Sequence, residues 1–130
     1  MTPNQVVAAY RAVLELSKAV LPYPAARQIA ALNRTLKAEH ETVVDAEKAL
    51  AEKYGGTISP GGTVDFPDWK RASEFNKAHT EFMGQDADVQ LPTVDITPYA
   101  ERLQVSPEAI CALDGIVIFE KDRERAVDNG

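Results

Sequence analysis

From Pro24 to Tyr54 the chain keeps one apolar period without a break. Ile29, Leu32, Leu36, Val43, Leu50 and Tyr54 recur at helical steps, with Glu39 or His40 and Ala46 or Glu47 at the weaker positions. That spacing holds side chains on one side of an α-helix. Pro24 suits a first turn, and Gly55-Gly56 offers a left-handed stop, so the expected bounds are 24–55. A helix of about thirty residues is about 45 Å long. A 130-residue chain needs no such length for its own core. A narrow apolar seam on so long a helix asks for another helix, from the same chain or a second copy.

The flanks supply shorter elements. Thr2, Pro3 and Gln5 form a capping-box start, and the apolar residues from Val6 to Leu16 predict a helix within 1–21, stopped by Pro22 and Pro24. Thr57-Ile58-Ser59 and Thr63-Val64-Asp65 flank Pro60-Gly61-Gly62, which predicts a β-hairpin over 57–66. Pro67 and Asp68 open a helix over 67–83, with Trp69, Ala72, Phe75, His79 and Phe82 on one face and Gly84 as its stop. This helix is expected to fold back on the long one. Residues 88–120 read as edge strand, interrupted by Pro92, then a short helix from Ser106-Pro107-Glu108 to Leu113. "GIVIFE" is compatible with a strand or with more helix, and the tail 121–130 is expected to fray. The expected fold is one mostly helical α+β domain over 1–130. It is built on a long antiparallel helix hairpin, with a small β-hairpin or β-sheet element and a short C-terminal helix.

Charge is distributed unevenly. The net charge of −6 disfavours general nucleic-acid binding, which rests on neutralising phosphates. Residues 1–37 nevertheless hold five cations (Arg11, Lys18, Arg27, Arg34, Lys37) against Glu15 alone. That segment is therefore +4 and the remainder −10. Such a split marks an anion site or a self-association surface. The plainer alternative is a solvated face whose cations pair with acids from elsewhere in the fold. No stretch reaches the ~20 apolar residues of a membrane helix, and no secretory leader is visible, so the expectation is a soluble intracellular protein.

Chemistry-bearing patterns are sparse. Cys111, the one cysteine, lies in the apolar run "AICAL" and reads as a buried, inert thiol. His40-Glu41 begins like a zinc-hydrolase helix, but Val44 stands where the second histidine is required. His40 and His79 are expected at helix–helix seams instead. Gly61-Gly62 leads into a strand, not a helix, so it is a turn and not a phosphate loop. Asp86 and Asp88 are paired acids with no sign of burial. No catalytic residue, metal ligand or cofactor is assigned, and an enzyme is not expected.

The basic run "RQIAALNRTLK" is the candidate site. Arg27 and Arg34 share a helix face and Lys37 adjoins them; Asn33 offers neutral hydrogen-bonding groups nearby. The later helix adds Trp69, Asn76 and Lys77. Cations for phosphate, an amide for a base edge or ribose and an aromatic for stacking suit a nucleotide. The expectation is that Arg27, Arg34, Lys37 and Lys77 hold phosphate, Asn33 or Asn76 reads the ligand edge and Trp69 stacks, with a second copy helping to close the pocket.

The stretches "LELSKAVLPYPAARQIAALNRTLKAEHE", "EKYGG", "FNKAHTEFMGQDADVQLPTVDI" and "VSPEAICAL" carry a further signal over roughly residues 14 to 113. In this order they resemble a family of small phage and prophage proteins of unknown function, from which this chain departs by its longer Ala-rich first helix. The resemblance implies a phage protein acting in the host cytoplasm as a non-enzymatic homo-oligomer, and no site residue is carried over from the family. The first expectation is an anti-defence sponge that sequesters a host nucleotide signal; the alternatives are a virion or tail assembly accessory or structural protein and a direct inhibitor of a host defence protein.

Overall fold

The computed structural model describes residues 1–119, without the side chains of residues 100–102. The expected tail, 121–130, lies outside the described residues, as does the end of "GIVIFE". The element order is α1 (Pro3–Leu16), α2 (Tyr23–Lys53), β1 (Thr57–Ile58), β2 (Val64–Asp65), α3 (Trp69–Met83), β3 (Val94–Asp95), a 3₁₀ turn (Thr97–Arg102), α4 (Pro107–Ala112) and β4 (Val117–Ile118). The chain is thus mostly helical with small β elements, as its periodicities require.

Capping chemistry fixes where the first helices begin. Thr2 accepts from the Gln5 N–H while Gln5 accepts from the Thr2 N–H, so both orphan donors are satisfied. α2 starts behind Pro22 and runs for 31 residues, or about 46 Å. α1 and α2 form an antiparallel hairpin. Leu16, Leu32 and Leu36 are fully buried in one cluster, and the Tyr10 ring stacks on His40 at 4.6 Å. The expected hairpin therefore exists, but its principal pair is α1 with α2 rather than α2 with α3. α1 has six buried residues, whereas α3 buries only Met83 among its described side chains.

α3 docks end-on to α1, against the distal half of α2. Met83 packs with Val43 and Val6, and the His79 Nε2 lies 2.7 Å from Glu47 Oε2. Later positions on α3 thus meet earlier positions on α2, which makes this pair antiparallel too. The helix begins at Trp69, not at Pro67, because the Asp68 carboxylate accepts from the Arg71 N–H and so caps it. Trp69 is 81% exposed and does not join the face formed by Phe75 and His79. It occupies the first helical position, beyond the contact with α2.

The hairpin β1–β2 pairs Thr57 with Asp65 and Ile58 with Val64. Gly56 seats it against the end of α2. A methyl group there would lie 2.9 Å from the Ala51 carbonyl oxygen and 2.9 Å from the Phe66 ring. The expected edge strand is much shorter than its alternating pattern suggests, since only Val94–Asp95 pairs. Its partner is Val117–Ile118, in parallel register, so this part of "GIVIFE" is strand and not helix. α4 crosses between them and packs on α1. There the Ser106 hydroxyl donates to Glu15 Oε2 at 2.9 Å and accepts from the Ala109 N–H, while Glu15 Oε1 accepts from the Ser106 N–H.

Cys111 is exposed, contrary to the expectation of a buried thiol. Ala109 and Leu113, four apart, carry the inward face of this short segment, and Cys111 falls between them on the outside.

Candidate functional site

Among the described residues, α2 is covered on one face only. Ala25, Ile29, Leu32, Leu36, Val43 and Ala51 are buried, and α1 and α3 follow one another along that side. The opposite face carries Arg27, Arg34, Lys37, Glu41, Asp45, Lys48 and Glu52, all exposed. At about 100° per residue these positions fall within one stripe on the outer side of the helix. Among the described residues, the ion pairs closer than 4.0 Å are those of Met1 with Asp86 and His79 with Glu47. The cations of the basic run therefore stand on a solvated face, as the plainer account of the charge split has it, but without acidic partners within 4.0 Å among the described residues.

The sequence-derived site separates into two groups. Arg27, Arg34 and Lys37 project from the outer face of the first part of α2, with Asn33 on its flank. The Oδ1 of Asn33 is shut off from solvent and has no hydrogen-bond partner among the described residues. Trp69, Asn76 and Lys77 are exposed on α3. The His79–Glu47 contact fixes the level of that helix. About 30 Å of α2 separates Arg27 from Glu47, and Trp69 lies farther out again. One chain thus does not gather the seven residues around one hollow, so a ligand touching both Arg27 and Trp69 requires two chains.

The remaining polar groups have structural partners. His79 is sandwiched between Glu47 and the Phe75 ring, whose centroid is 5.4 Å away. His40 rests on Tyr10. Both histidines occupy helix seams, as expected. Asp86 is exposed, and its carboxyl is held below the ordinary value by the hydrogen bond and charge of the Met1 ammonium. No group of three or more metal-ligating side chains occurs among the described residues. None of their helices is long and apolar enough to cross a membrane.

No family model, curated protein or solved structure matches this chain. The phage reading therefore rests on the sequence pattern alone.

One surface feature is not evident from the sequence pattern alone. The acids Glu41, Asp45 and Glu52 continue the same helical stripe as the basic run, with reversed sign. The signal was present in the spacing, but only the position of α1 and α3 identifies this stripe as the uncovered side.

Proposed function

We propose that the chain is a non-catalytic interaction protein of phage, serving particle assembly as an accessory or structural component. The observation that supports this reading is the outer face of α2, which among the described residues is uncovered along a 31-residue helix and holds charges of both signs without ion-pair partners within 4.0 Å. A surface of that length suits an elongated macromolecular partner better than a compact ligand. Quantitative mass spectrometry of purified particles from a phage that encodes the chain tests the reading. A fixed copy number per particle is expected, and absence from particles overturns it.

A second reading is favoured by a different observation. Arg27, Arg34 and Lys37 are exposed and lack acidic partners within 4.0 Å among the described residues, and Asn33 stands on the flank of the same stretch of helix. That combination suits the phosphate and base edge of a host nucleotide signal, captured between copies of the chain. Thermal-shift measurement against cyclic dinucleotides and cyclic ADP-ribose isomers tests it. A stabilisation that is lost in Arg34→Ala is expected, and no shift with any member of the panel counts against capture.

A further inference from the structure

The charges on the outer face of α2 are arranged with an internal symmetry. Arg27 and Arg34 stand seven residues apart in its first half, and Asp45 and Glu52 stand seven apart in its second. Lys37 and Glu41 lie between them, near the helix midpoint. Arg34 and Asp45 are therefore equidistant from a point just past the centre of the helix, and so are Arg27 and Glu52. The Arg34–Asp45 separation is close to three whole turns, which keeps both on one line along the surface.

We infer that this face is a docking surface for a second copy of the same chain, with the two α2 helices antiparallel about a two-fold axis near Lys37–Glu41. A two-fold contact requires that residue i meet j while j meets i. Antiparallel superposition on this axis puts Arg27 at the level of the partner subunit's Glu52 and Arg34 at that of the partner subunit's Asp45, and brings Lys37 within one residue of the level of the partner subunit's Glu41. Each opposition occurs twice. Parallel stacking would instead set Arg27, Arg34 and Lys37 against their own copies, like charge on like. Lys48 falls at the level of Ala30 and Ala31, which carry no charge. The exposed alanines Ala30, Ala38 and Ala49 leave room for the two backbones to approach.

This inference names a partner for the surface on which the assembly reading rests, and it can fail alone. The test is sedimentation velocity of the full chain over a concentration series, at about 50 mM and about 500 mM salt. The wild type is expected to form a dimer that weakens at high salt. Arg34→Glu alone and Asp45→Arg alone each set like charges together at two places, and each should weaken association at least about tenfold. The double variant Arg34→Glu/Asp45→Arg restores opposition between copies, and should return association to within about threefold of wild type. Arg27→Glu with Glu52→Arg provides an independent second swap. Circular dichroism checks that every variant keeps its helix content, as expected at exposed positions. A monomer at all concentrations overturns the inference, and so does a dimer indifferent to the single charge reversals or not rescued by the swaps. Presence in particles together with a monomeric chain would reject this pairing while leaving the assembly reading standing.

Discussion

Leu36 shows what a single side chain contributes here. It is fully buried on the inner face of α2, within the cluster shared with α1, β3 and α4. Leu36→Ala removes apolar burial and leaves a cavity, and is expected to cost about 2–5 kcal/mol, read as a lower denaturant midpoint with an unchanged slope. Asn33 is the opposite case. Its buried Oδ1 makes no hydrogen bond among the described residues, so the native side chain carries a desolvation cost of about 1–3 kcal/mol. Asn33→Leu is expected to leave stability unchanged or raise it by about 1 kcal/mol in the same titration. If the nucleotide reading holds, that variant loses the thermal shift while keeping its fold, which separates a ligand-reading role from a structural one.

At the scale of elements, the two ends of α2 are held very differently. The first half is pinned by a large cluster drawn from α1, β3, β4 and α4, while the second half meets α3 through Val43, Met83 and the His79–Glu47 contact. Thin packing lowers the free energy of local opening. Amides of α3 are therefore expected to exchange with solvent faster than those of α1 and the first half of α2, as hydrogen-exchange mass spectrometry would register. His79→Ala should accelerate exchange in α3 further, with little change in α1. Gly56→Ala acts at the same end. Its methyl would press on the Ala51 carbonyl and the Phe66 ring, so the variant is expected to loosen the hairpin and speed exchange over β1 and β2.

For the whole molecule, the arrangement is a spine covered along one side. α1 and α3 lie head to tail on the inner face of α2, and among the described residues the outer face stays open along its length. Burying the open face would bring charges together, so the association inferred above draws its specificity from complementary sign rather than apolar area. Isolated exposed pairs contribute only about 0–1 kcal/mol each, and association itself costs at least about 4 kcal/mol. Self-association through these pairs alone is therefore expected to be weak, reversible and salt-sensitive, with concentration-dependent light scattering at low ionic strength as its check. A tight, salt-resistant dimer would point to an apolar interface elsewhere.

Helix content, the long α2 and the capping of its neighbours follow from the sequence alone. They depend on local periodicity, on Thr2 with Gln5, on Pro22 and on Gly55-Gly56, and these act within a few residues of themselves. The alternating residues of "DADVQLPTVDIT" promised more strand than formed, because a strand exists only where a partner pairs with it, and Val117–Ile118 matches just Val94–Asp95. Cys111 looked buried because its neighbours are apolar, yet which turn of α4 faces α1 is set by the Glu15–Ser106 contact across the fold. The candidate cations were legible as a run in one segment, but their distance from Trp69 and Lys77 was not, since it depends on how α3 sits on α2. Sequence spacing determined that Arg27, Arg34, Asp45 and Glu52 share a line. Only the tertiary structure decided that this line faces outward, because α1 and α3 both pack on the opposite side of the helix.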